Sequence, residues 1–136
     1  MAEVIALEVD GVPAFWVRGE RDLTTLSVIF RGGRSDETLA TSGWLHLLEH
    51  HALHLRRSPV IEANGSVQLV HTQFDFDGSP AAVGREVARV LARLHNLNDL
   101  ELDLHRRVLE IEARTRGGHP FLDSLVWRYG ARGPGA

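Results

Sequence analysis

The segment LTTLSVIFRGGRSDETLATSGWLHLLEHHALHLRR, residues 23–57, changes its apolar period partway along, and that change decides the fold. Its first part, residues 23–31, carries the β-branched Thr24, Thr25, Val28 and Ile29 and halts at Gly32-Gly33, as a strand does. Residues 42–57 fit a helix instead. Thr41 or Ser42 serves as N-cap, Arg56 and Arg57 suit the negative end of the dipole, and Pro59 closes the element.

Upstream, residues 4–9 and 12–18 read as strands joined by Asp10-Gly11, the pair that type I′ hairpin turns favour. Together with residues 23–31 this predicts three antiparallel strands. Downstream, residues 66–77 read as one long strand, with Val67, Leu69, His71 and Gln73 on one face and Val70, Thr72, Phe74 and Phe76 on the other. Asp77-Gly78 turns the chain, Ser79 caps, and Pro80 opens a second helix whose Val83, Val87, Val90, Leu91 and Leu94 recur every three or four residues until Asn96. Asp99 caps a third helix, striped by Leu104, Val108 and Ile111, that runs to about Arg116 before Gly117-Gly118. Pro120 starts a short fourth helix through Phe121, Leu125, Val126 and Tyr129, and residues 130–136 form a glycine-rich tail. The order predicts an α+β fold: an antiparallel sheet with helices packed on one face. Trp16, Trp44 and Trp127 are expected in the core or at an interface.

At 136 residues the chain fits one domain, and 43% apolar with 24% charged residues is the composition of a folded globular protein. No apolar run approaches the roughly 18–20 residues of a bilayer span, and Met1-Ala2-Glu3 does not open a signal peptide. The expected setting is cytoplasmic, with no membrane partner. The absence of cysteine excludes disulfides, thiolate zinc sites and a cysteine nucleophile. Any metal must therefore be held by histidine and carboxylate. A net charge of −3 supplies no field for phosphate neutralisation, so nucleic acid is not an expected partner. All 15 basic residues are arginine, which removes Schiff-base chemistry.

Within the predicted helix stands His46-Leu47-Leu48-Glu49-His50, the H-x-x-E-H order of inverzincins. Taking His46 as origin, His50 lies at about +40°, Glu49 at about −60° and His54 at about +80°, so two imidazoles and a carboxylate share a face. Trp44, Leu45, Leu47, Leu48, Ala52 and Leu55 occupy the other side, which gives the helix a separate core face. Histidines at i and i+4 let one helix supply two nitrogens to Zn²⁺, and Glu49 then stands where it can take a proton from zinc-bound water and return it to a leaving amine. The competing reading is a polar helix face that carries this order by accident.

A catalytic zinc takes a third protein ligand and keeps an open position. On the third helix Glu112 lies at about +40° from Val108, on the inward side, whereas Glu110 lies at about 200°. A carboxylate at the edge of an apolar stripe is costly unless paired or metal-bound, so Glu112 is the stronger candidate. Its competing role is an ion pair with Arg56, Arg107 or Arg116, and His71, His105 and His119 remain alternative ligands. His51 falls among the apolar positions and reads as a hydrogen-bonded core histidine, and His54 as an outer contact of the site.

Four stretches share a pattern with a known group: SVIFRGGRSDE (27–37), HLLEH (46–50), the strand following Asn64-Gly65-Ser66 as far as Asp77-Gly78, and HRRVLEIE (105–112). Residues 28–133 so resemble the first part of a pitrilysin/insulinase-type domain, a zinc metallopeptidase family that includes the mitochondrial processing peptidases. The resemblance implies a single zinc-peptidase-like domain over residues 1–136, with His46, His50 and Glu112 as zinc ligands and Glu49 as general base. It implies a zinc-dependent endopeptidase whose peptide substrate binds in extended form along the sheet edge. Two departures stand out. His105 occupies a place where the family has a second acidic residue, and active members close a chamber with a second, related domain. The expected partner is therefore another copy of the chain or a peptidase-like subunit. The alternative is a catalytically retired subunit that binds peptides or supports an active partner.

Overall fold

The computed structural model describes residues 3–19, 22–53, 59–98, 100–116 and 120–130. The chain is α+β. Strands β1 (Val4–Val9), β2 (Val12–Val17) and β3 (Thr24–Phe30) are followed by a single 3₁₀ turn (Arg34–Asp36) and helix α1 (Trp44–Leu53). Then come β4 (Ile61–Val67), β5 (Thr72–Gly78) and helices α2 (Pro80–His95), α3 (Leu102–Arg116) and α4 (Pro120–Tyr129).

The body is organised by β5, whose sequence TQFDFDG alternates strictly. Thr72, Phe74 and Phe76 point inward and are buried, while Asp77 is in solvent. Such alternation is what a strand with one wet face requires. The three-stranded antiparallel sheet runs β3-β5-β4, with Val28, Phe74 and Gly65 aligned across it and Leu26, Phe76 and Ala63 in the next inward row. Ala52 of α1 and Val83 and Val90 of α2 pack on Phe74 and Phe76 to form the core, flanked by Val87 and Leu94. The outward face is polar: Thr25 donates to Asp77, Ser27 donates to Asp75 at 2.5 Å, and Glu62 and Asn64 stand beside them.

Two strand expectations are corrected. Residues 66–77 are not one strand but the last part of β4, a reversal at 68–71 and most of β5. The turn closes with Gln68 N–H donating to the His71 carbonyl at 2.8 Å and contains no glycine, proline or asparagine. Its shape is fixed from outside. The Arg34 and Ser35 amides donate to the Gln68 and Leu69 carbonyls at 3.0 and 2.9 Å, and Gly33 lies so close that a Cβ there would sit 2.5 Å from Leu69 O. Asn64-Gly65, which locally suggests a turn, lies inside β4.

The second correction concerns β1 and β2. They form the expected hairpin, with Asp10 at φ 50° and Gly11 at φ 81° as a type I′ turn demands. Yet β3 pairs with β5, and the hairpin is a separate two-stranded ribbon.

The helices form where expected, but several members of their expected apolar stripes, among them Leu91 of α2 and Phe121 and Tyr129 of α4, are exposed. On α3, Leu104 and Ile111 are exposed, and the buried position is His105, so the inward sector is rotated away from the expected stripe toward His105 and Glu112. None of the three tryptophans is in the core; Trp127 is 91% exposed. The helix end expected at 54–57, the Asp99 cap, Gly117-Gly118, His119 and the tail beyond 130 lie outside the described residues. Among the described residues no helix is long and apolar enough to cross a membrane.

Candidate metal centre

The centre is built on α1, whose start is fixed by Glu37. That carboxylate, 6% exposed, accepts from the backbone N–H of Gly43 at 3.1 Å and of Leu45 at 2.8 Å. A negative group on the unsatisfied amides of a helix start complements both hydrogen-bonding need and dipole. The cap therefore comes from six and eight residues upstream rather than from the expected Thr41 or Ser42 side chain. Toward its other end α1 is tied to α2, where Arg93 Nε donates to the His51 carbonyl at 2.8 Å and its Nη2 lies 3.3 Å from His51 Nδ1. His51 is thus the buried, hydrogen-bonded core histidine expected, 1% exposed.

With both ends held, α1 turns His46, Glu49 and His50 to one side, and these three bring one ligand atom each within 4.8 Å of one another, a group that could hold a metal ion. The Nε2 atoms of His46 and His50 are 3.2 Å apart. Glu112 arrives from α3, with Oε2 3.5 Å from His46 Nε2 and Oε1 3.4 Å from His50 Nε2. These separations have a chemical meaning. Ligands about 2.0–2.1 Å from a tetrahedral zinc stand about 3.3 Å from each other. The imidazole nitrogens are that far apart, and each has a Glu112 oxygen at a similar separation, the two contacts being made by different oxygens of the carboxylate. Two imidazoles and a carboxylate are also a donor set that zinc accepts. The residues present fit a metal of this kind.

Glu49 is about as close as Glu112, its Oε2 3.6 Å from His46 Nε2, and with the two histidines it makes up the group of three. Its side chain lies on the backbone of β4 at Gly65, where a Cβ would meet Glu49 Oε1 at 2.5 Å, Cγ at 2.6 Å and Cδ at 2.9 Å. Only a residue without a side chain admits the carboxylate at this spot. Gly65 and Glu37 are the two contributors that spacing alone does not reveal. The His46, His50 and Glu112 side chains are 22%, 21% and 28% exposed, so the centre is open to a ligand from solvent.

The other candidates are placed elsewhere. His105 is buried, its ring centroid 6.4 Å from that of His50 and 5.9 Å from that of His51, edge-on to the latter. His71 belongs to the β4–β5 turn, and Glu110 is exposed on the far side of α3. His54, Arg56, Arg57 and His119 fall outside the described residues. Beside the centre an open cleft of about 330 Å³ is lined chiefly by Phe30, Leu45, Leu48, Phe74 and Leu94, with Glu49 at its edge. Compared with protein-family models and with curated proteins, the chain matches none.

Proposed function

We propose that this chain is a zinc-dependent endopeptidase domain that hydrolyses peptides held in extended form. The observation that carries the reading is the cluster of His46 and His50 with two carboxylates, Glu112 and Glu49, each with an oxygen within 3.6 Å of an imidazole nitrogen. The resemblance of residues 27–37, 46–50 and 105–112 to the pitrilysin/insulinase pattern points the same way.

In this reading His46, His50 and Glu112 hold Zn²⁺. Held there, such an ion would supply Lewis acidity toward a peptide carbonyl and toward a water molecule, whose pKa would fall to about 7. Glu49 takes the proton as the water oxygen attacks the carbonyl carbon, then returns it to the nitrogen as the C–N bond breaks, so acid and amine leave with the water's atoms shared between them. Gly65 keeps the Glu49 carboxylate against β4, on the inner face of the sheet. The outer edge of β4 has no strand partner among the described residues, and an extended peptide adding to it would lie next to Glu49. Activity depends on self-association or on a peptidase-like partner subunit that closes the cleft. A cysteine-free chain accords with a cytoplasmic setting.

A second reading, a retired subunit that binds peptide without turnover, is favoured by one observation: buried His105, an imidazole rather than a second carboxylate, stands near the His50 ring. Glu49→Gln separates the two. Under the enzymatic reading the variant keeps its zinc and loses hydrolysis of an unstructured peptide mixture. Wild-type protein that holds one zinc and cleaves nothing, alone or mixed with candidate partner subunits, favours the retired form.

A further inference from the structure

The β1–β2 ribbon poses a problem that the metal centre does not solve. Cross-strand pairs Ile5–Trp16, Leu7–Ala14 and Val9–Val12 put six apolar residues on one face without a polar interruption. The opposite face carries Val4, Ala6, Phe15 and Val17, broken only by Glu8 and Pro13. A lone two-stranded hairpin is marginal in water, and strands apolar on both faces belong inside a layered structure. Here nearly every one of these side chains is exposed.

The sheet of the body offers the ribbon no matching bed. The inner face of that sheet is covered by α1 and α2, and the outer face presents Thr25, Ser27, Glu62, Asp75 and Asp77 around a single exposed Ile29. A surface that does match, apolar along its whole length, is the unbroken face of another ribbon. Ile5, Leu7, Val9, Val12 and Trp16 are each between 43% and 63% exposed. Together they leave on the order of 500 Å² per copy, as large as the biggest apolar patch of a typical monomer, which is often functional. Two such faces together reach about 1,000 Å², the area at which a specific interface begins.

We propose that the ribbon is a dimerisation arm, stacking its Ile5/Leu7/Val9/Val12/Ala14/Trp16 face on the same face of a second copy about a two-fold axis. Charge sets the direction. Asp10 stands at the turn end and Arg18, with Glu3, at the open end, so a parallel stack would set the two Asp10 carboxylates together. The antiparallel, two-fold stack separates them and sets each Asp10 at the other copy's open end, within reach of Arg18. It is also closed: the same patch serves both copies, and no further copy can add.

The test is sedimentation equilibrium of the full chain with chelator present, so that its outcome is independent of the metal reading. The expected mass is about twice 15.1 kDa. Leu7→Glu should raise the dissociation constant at least about tenfold, while Phe15→Ser, on the other face, leaves it unchanged. Because the chain has no cysteine, Ala14→Cys and Ala6→Cys each give a single thiol, on opposite faces. Stacked sheets lie about 10 Å apart, so a bis-maleimide of that span should link Ala14→Cys into a covalent dimer and leave Ala6→Cys as monomer. A chain that stays monomeric at every concentration overturns the proposal. So does equal cross-linking of both thiols, or a dimer that dissociates on Trp127→Ser and survives Leu7→Glu.

Discussion

The ribbon and the body of this protein are both antiparallel β-structure, and they are specified in opposite ways. The ribbon is locally complete: Asp10-Gly11 supplies the turn, and six residues on each side pair in register. It buries almost nothing. The body's sheet has a turn at 68–71 with no turn residues and a strand that contains Asn64-Gly65, yet it holds the core. Local chemistry fixes the bend of the ribbon, whereas in the body contacts from distant chain shape the bend and burial fixes which strands pair.

If that contrast is right, substitutions of similar kind should have unequal effects in the two regions. Phe76→Ala, at a fully buried side chain, should cost about 3–5 kcal/mol of unfolding free energy in urea, whereas Phe15→Ala in the ribbon should stay within about 0.5 kcal/mol. Equal costs would mean that the ribbon is packed against the body after all.

Two further substitutions sharpen the account of how the body builds its centre. Gly65→Ala places a methyl group where Glu49 lies, and displacement of the carboxylate by about 1 Å should lower hydrolysis roughly 100-fold with zinc content unchanged. Full activity in that variant would show that Glu49 does not act from this position. Glu37→Ala removes both side-chain acceptors at the start of α1 and should lower stability by roughly 1–3 kcal/mol, with zinc affinity falling as α1 loses its cap. A thermal melt that does not move would assign the helix start to another group. The smallest effect belongs to Gly11→Ala, which strains a φ of 81° by about 1 kcal/mol but acts on the ribbon alone. Hydrogen exchange should quicken in residues 4–17 and stay unchanged in β5.

The sequence makes the centre more legible than the sheet. Helical spacing puts His46, Glu49 and His50 on one side of α1, and they are there. Glu112 is found by a stripe argument whose other members fail, since Leu104 and Ile111 are exposed. It survives because at about +40° it falls within the sector that the helix turns inward, which the apolar residues define only loosely. What stays hidden is whatever depends on distant chain. Glu37 as a cap, Gly65 as the bed for Glu49 and Gly33 against the β4–β5 turn are contacts between segments that no periodicity links. The same reason conceals β4, whose Asn64 and Gly65 make a poor strand until β5 pairs with them.

The central claim is that α1 and α3 together make one zinc site, and zinc affinity by competition titration of wild type and Glu112→Ala tests it most directly. The account predicts one zinc per chain in the wild type and at least about a tenfold loss of affinity in the variant, because a third of the protein ligand set is gone. Equal affinity in the two proteins would confine any metal to α1 and contradict the site as described.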